Sequence, residues 1–209
     1  MTSTSESSNN SDYVLSYFSD TILTLKNPNV APAVWDEPDK ERELDSVRSS
    51  QSEVTFRVCS KSLMQASTVF AAALLGGWKE ASTAEDGCFA ISTENWDSEA
   101  MLIVLSAIHS RTKDIPRKVT LEMLCKIAVL VDYYELQDAL QFYGSLWIDY
   151  LRSSLPATYG RDIVLWICVS SIFRNATSFC AATKVAIESS PEDVRTLDLP
   201  ISASIICKF

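Results

Sequence analysis

The chain has 209 residues, 47% of them apolar, with only 5 Gly and 7 Pro, a balance that supports one sizeable core, or one domain plus a helical extension, and excludes a disordered chain. Its formal charge of -9, at a pI near 4.6, opposes a phosphate backbone, and with no local basic patch to offset it nucleic acid is excluded as a partner. Six Cys, spread from Cys59 to Cys207 without a Cys-x-x-Cys pair and beside a single His, exclude a metal site of the usual zinc spacing and read as free thiols in a reducing compartment.

The first twelve residues, MTSTSESSNNSD, are polar and acidic, unlike a secretory leader; residues 1–17 are expected to be a disordered tail, and YVLSYF, after its polar part, is expected to form a short helical turn. DTILTL (Asp20 to Leu25) reads as a strand that buries Ile22, Leu23 and Leu25. Residues 27–53 are Pro-rich, then dense in charge, then Ser-rich, which predicts a loop long for a compact domain. EVTFRVC (Glu53 to Cys59) alternates Val54, Phe56 and Val58 with Thr55 and Arg57, the period of a half-buried strand. The two strands should form a hairpin around that loop.

Helical spacing follows. Ser60 or Ser62 is placed to cap a short helix through Leu63 and Met64, and Ser67 to cap a second with Val69, Phe70, Ala73 and Leu74 on its inner side, stopped by Gly76-Gly77. Cys88 to Ile91 predicts a short strand. Asn95 or Asp97 caps the next helix, whose face is Met101, Val104, Leu105 and Ile108, before Ile115-Pro116. Thr120 opens a helix with Leu121, Leu124, Cys125 and Ala128 on one side, and a further helix carries Leu136, Leu140, Tyr143, Trp147 and Tyr150. Past Leu151, SSLPATYGRD reads as a linker, and the segment from Ile163 to Glu188 as a helix with Ile172, Ala176, Phe179, Thr183 and Ile187 on one face. Asn175-Ala176-Thr177 fits a glycosylation sequon, which has no meaning without a secretory route. The longest apolar run, Ile163 to Val169, is too short to span a bilayer, so no membrane role and a cytoplasmic or nuclear location are expected. The apolar end at Ile205, Ile206 and Phe209 suggests a helix cut short, or a segment that docks on the domain, in a shortened form of a longer chain. The order of strands, helix pair, strand and gathered helices is an α+β layout.

That order, with its residues, resembles a BTB/POZ domain of the diverged type common in fungal genomes. Asp20 opens the first strand, FRVCSKSLMQASTVFAAAL matches the family's strand, turn and Leu-x-x-x-Ser-x-x-Phe helix, and GGWKEA its Gly-aromatic-x-Glu corner. Leu124, Ala128, Asp132 and Tyr134 meet its Leu-x-x-x-Ala-x-x-x-Asp-x-Tyr ending. The resemblance covers about residues 18–151, with the long loop at 27–53 in place of a tight turn and Cys59 where many members carry His, and it leaves 152–209 as a helical extension.

The resemblance implies a non-catalytic protein-interaction module without cofactor. In members that serve as substrate adaptors of cullin-type ubiquitin ligases, a hydrophobic-x-Glu step touches the scaffold, and Trp78-Lys79-Glu80 matches it, with Tyr134 as a further partner-binding candidate. Trp78 is equally suited to covering its own core, and the tyrosines of Asp132-Tyr133-Tyr134 to burying their rings. A BTB-type self-associating module or scaffold without a ligase role, forming homodimers through an N-terminal element, is the alternative. An enzyme or small-molecule binder on an unrelated α+β core is a third reading, in which His109 or Cys125 would carry chemistry rather than packing.

Overall fold

The computed structural model describes residues 11–29, 33, 53–75, 82–83, 88–190 and 194–206. Five strands, β1 (Ser11–Val14), β2 (Thr21–Lys26), β3 (Glu53–Val58), β4 (Ser82–Thr83) and β5 (Phe89–Glu94), form one mixed sheet in the order β1-β3-β2-β5-β4. β2 and β3 pair antiparallel as the alternation predicts, with Leu23 opposite Phe56 and Leu25 opposite Val54. Leu23, Leu25, Phe56 and Val58 are buried, because period-two residues share one face of the sheet. Ile22, on the other face, is only half-buried.

β1 corrects the expectation of a helical turn in YVLSYF. Ser11–Val14 runs parallel to β3 as an edge strand, Tyr13 stacks on Phe56 with ring centroids 5.4 Å apart, and the turn comes later, at Tyr17 and Phe18. The free edge of β3 offers these residues backbone partners that a single helical turn lacks. Ser11–Val14, expected within a disordered tail, therefore belong to the sheet.

The helices are α1 (Ser60–Ala66), α2 (Thr68–Leu75), α3 (Ser98–Ile108), α4 (Leu121–Tyr133), α5 (Gln137–Leu151), α6 (Arg161–Ile172), α7 (Ala176–Ser189) and α8 (Ala203–Ile206). The fold is α+β with a helical C-terminal part, as expected. Ser67, Asp97 and Thr120 cap α2, α3 and α4 through hydrogen bonds to the amides of Phe70, Ala100 and Met123. The start of the long loop is pinned: Asn29 Oδ1 accepts from the Ser98 amide, and Arg161 Nε donates to the Ala33 carbonyl. Among the described residues no helix is long and apolar enough to cross a membrane.

Helix α6 sits at the centre of the hydrophobic core, with every residue from Ile163 to Ser170 buried. The core is continuous from Leu15 to Ile201, so the C-terminal helices share it with the sheet. The single helix expected from Ile163 to Glu188 is two. Arg174 turns left-handed at φ 51°, Asn175 caps α7 by accepting from the Ser178 amide, and Gln141 Nε2 donates to the Phe173 carbonyl exposed at the break. The break resets the helical phase: the buried face of α7 is Ser178, Ala182 and Ala186, whereas Ile187 points to solvent. Tyr150, expected inside, is exposed beneath the Lys118 ammonium, 4.5 Å from its ring centre.

Gly144 allows α5 to approach the end of α6. A methyl group there would lie 2.2 Å from Cδ1 of the buried Phe173 ring. Gly144→Ala should therefore destabilise the protein by about 1–3 kcal/mol through overpacking. Gly160→Ser, at an open position that opens α6, should be neutral or add about 0.3 kcal/mol as a cap. Urea denaturation of both variants checks the contrast, and an unaffected Gly144→Ala would mean that the ring moves aside freely.

Candidate functional site

Trp78, Lys79 and Glu80, the corner singled out from the sequence, lie outside the described residues; the structure describes what surrounds their place in the chain. Helix α2 leads into them and is bolted at its start to the end of α4. Ser67 Oγ donates to the Tyr134 carbonyl at 2.6 Å, Thr68 Oγ1 donates to the Glu135 carboxylate, and Phe70 stacks on Tyr134 with centroids 4.4 Å apart and planes 9° from parallel. Leu75, the last residue of α2, is exposed.

Tyr134 is not a surface residue. It is 5% exposed, and its hydroxyl shares a hydrogen bond of 2.9 Å with Thr93 Oγ1, which also accepts from Trp96 Nε1 at 2.8 Å. A partner cannot reach it without unpacking α2 from α4, so its assignment as a partner-binding residue is corrected to a core role. Spacing held the signal: Ile127, Val131 and Tyr134 follow i, i+4 and i+7 on the buried side of α4. The exposed member of the pair is Tyr133, 59% accessible, its ring against Trp96 at 5.1 Å.

A second cluster stands at the N-terminus of α1. Neither Ser60 nor Ser62 caps this helix; Cys59 takes the cap position and offers no side-chain bond. Two remote side chains replace it. Asp20 accepts from the Ser60 amide and from Ser60 Oγ, both at 2.6 Å, while His109 Nε2 accepts from the Cys59 amide at 3.0 Å. Because Nε2 accepts, the ring proton is on Nδ1, which donates to the Leu105 carbonyl at 2.8 Å. At the turn where Cys59 stands, the acceptor is thus an imidazole arriving from the end of α3. Desolvation opposes ionisation of Asp20, but the bonds from Ser60 outweigh it and hold its carboxyl below the ordinary range. Burial first, then the nearby Arg111 charge, push the His109 imidazole below its ordinary range.

Arg111 completes this corner by donating to the Val14 carbonyl and pairing with Asp114. Val14, Leu15, Ser16, Tyr17, Phe18, His109 and Arg111 line a cleft of about 560 Å³. Its imidazole and guanidinium are already engaged by the protein. Cys125 is likewise a packing residue, 1% exposed. Its hydrogen bond with Cys168, and then burial, raise the Cys168 thiol well above its ordinary range, the reverse of what a nucleophile needs.

The imidazole has a measurable sign. Above its ordinary pKa of 6.5, the ring is neutral both folded and unfolded, and its contribution is fully present. As pH falls below 6.5 the unfolded chain takes up a proton that the fold resists, so stability is lost toward the lower folded pKa. The single His of the chain should therefore make the urea midpoint fall between pH 7.5 and 5.5. Asp132, whose carboxyl is raised by burial and by the Glu135 charge, works in the opposite direction, so the comparison with His109→Gln isolates the ring. That variant should lose about 1 kcal/mol at pH 7.5 and show a shallower fall; an identical pH slope in parent and variant would refute the assignment.

Against known proteins, the chain matches no family model and no curated sequence.

Proposed function

We propose that the chain is a non-catalytic protein-interaction module of BTB/POZ type that acts as a substrate adaptor for a cullin-type ubiquitin ligase through Trp78, Lys79 and Glu80. The observation that carries this reading is the exposure of Leu75 and Tyr133 around the bolted α2–α4 junction. Leu75 lies five residues beyond the buried Phe70, about 7.5 Å along the helix axis, so the described part of α2 ends on an exposed side chain. An aromatic followed in sequence by a carboxylate, as in Trp78-Lys79-Glu80, suits docking, the ring supplying burial and the carboxylate fixing register. The structural employment of His109 and Cys125 supports a role without chemistry at either residue.

Calorimetric titration of the purified chain with the N-terminal half of a cullin scaffold tests the reading. Trp78→Ala and Glu80→Ala, shown by circular dichroism to be folded, should each weaken binding at least tenfold, or about 1.4 kcal/mol. A folded parent that does not bind the scaffold would end the adaptor reading.

The alternative, self-association through the N-terminal element, has its own support in the edge strand β1 with exposed Val14, Tyr17 and Phe18 beside the cleft. Sedimentation equilibrium should then give a dimer that Tyr17→Ser with Phe18→Ser dissociates at unchanged helicity. A parent that stays monomeric at tens of micromolar would remove this alternative.

A further inference from the structure

Helix α5 buries Leu140, Gly144, Trp147 and Ile148 and turns another apolar row to solvent. Phe142, 68% exposed, Leu146, 50% exposed, and Tyr150 stand at i, i+4 and i+8, a ridge about 12 Å long on one side of the helix. Residues that only dilute a helix surface are scattered; three large apolar side chains in one row on an otherwise charged, exposed face form a stripe. Asp138 and Asp149, both exposed, stand at i-4 and i+7 from Phe142; Asp138 continues the row one turn before Phe142 and Asp149 lies beside its far end, so an acid stands at each end of the stripe. Across the α4–α5 turn, Asp132 and Glu135 are exposed too.

The C-terminal end of the stripe already demonstrates what it attracts. Lys118 reaches over the Tyr150 ring at 4.5 Å, held there by a loop that Trp147 Nε1 anchors through the Pro116 carbonyl at 2.9 Å. Phe142, at the other end, meets only the edge of Tyr143 among the described aromatic contacts, at 5.6 Å. A cation from outside would find there both a ring face and the Asp138 carboxylate.

We propose that the exposed face of α5 docks an amphipathic helix of a protein partner whose apolar residues cover Phe142 and Leu146 and whose flanking Lys or Arg residues pair with Asp138 and Asp149. This surface contains none of Trp78, Lys79 and Glu80, and the proposal does not rest on the adaptor reading. A second copy of the chain fits poorly, because it would bring Asp138 and Asp149 of both copies and two net charges of -9 together. Residues 34–52 of the same chain fit poorly as well, since they carry more acids than bases and few apolar residues. A helix with basic flanks meets neither obstacle and gains on-rate from the field of the whole molecule.

The probe is a synthetic 18-residue helix with Leu on one face and Lys on both flanks, titrated into the full chain by fluorescence anisotropy. A peptide with Glu in place of every Lys serves as its counterpart. The Lys peptide should bind, the Glu peptide should not, and binding should weaken as salt is raised. Phe142→Ser with Leu146→Ser should reduce affinity at least tenfold, as should Asp138→Lys with Asp149→Lys, all four positions being exposed and the melting temperature unchanged. Trp78→Ala should leave the peptide affinity as it is. Absence of binding by the Lys peptide, equal binding of both peptides, or affinity insensitive to the α5 variants would overturn the proposal. So would a homodimer that the α5 variants dissociate, which would make a second copy the occupant.

Discussion

The N-terminus of α1 is the point on which the arrangement of sheet and helices depends. A helix start exposes amides that need acceptors, and Cys59 supplies none from its side chain. Both acceptors come from far along the chain, Asp20 lying 40 residues before Ser60 and His109 lying 50 residues after Cys59. A local cap would stabilise one helix. This remote pair instead joins the entrance to β2, the start of α1 and the end of α3 in one polar cluster, and Arg111 draws the end of β1 into it through the Val14 carbonyl. The two acceptors also suit their place electrostatically. The positive end of the helix dipole favours the Asp20 carboxylate and disfavours an imidazolium, which would have no lone pair left for the Cys59 amide. A neutral ring and an ionised carboxylate are the two states that this helix end selects.

The packing of the later helices follows from a different economy, that of glycine. With 5 Gly in the chain, most helix stops are made by other residues. After α3, α4 and α6 the chain turns left-handed at Ser110 (φ 56°), Glu135 (φ 53°) and Arg174 (φ 51°). In each case the following amide reaches back to a carbonyl inside the helix: Arg111 to Ser106, Leu136 to Val131 and Asn175 to Ser170. This is the Schellman closure without its usual glycine, at a cost of about 1–2 kcal/mol per left-handed residue. The surrounding core must offset that strain. It does so around Gly144, where glycine is used for close approach: the Phe173 ring seats over α5 and Gln141 closes the end of α6.

These stops explain much of what the sequence conveys and what it hides. Strands β2 and β3 were legible because alternation over six residues marks one buried face, and α2, α3 and α4 because Ser67, Asp97 and Thr120 announce them. The break between α6 and α7 was hidden because Arg174 gives no hint of a left-handed turn, although Asn175 with Ser178 was a cap in plain spelling that also read as a sequon. β1 was hidden because a parallel edge strand depends on a partner more than 40 residues away, which no local pattern encodes. At the site, the α1 clamp was out of reach for the same reason. Tyr134 was in reach, since its helical phase places it inside and Tyr133 outside, but resemblance to a family pattern marks which residues recur without separating those that pack from those that bind.

The adjacent pair Tyr133 and Tyr134 states the general relation between this core and its surfaces. The core is filled without help from the exposed rings: Trp147, Trp166, Phe56, Phe70 and Phe173 are already fully buried. Tyr133, Phe142 and Phe18 therefore keep most of the about 1.5–3 kcal/mol that burying a large apolar side chain yields, and only a partner can realise it. Rings alone would make such a surface indiscriminate. The acid surplus supplies discrimination, because a partner approaching Asp138 or Asp149 with carboxylates of its own meets repulsion before any ring is covered, whereas one with basic flanks is drawn in. In the proposed docking, affinity would reside in a few aromatic and aliphatic side chains, and selectivity in the sign of the charge around them.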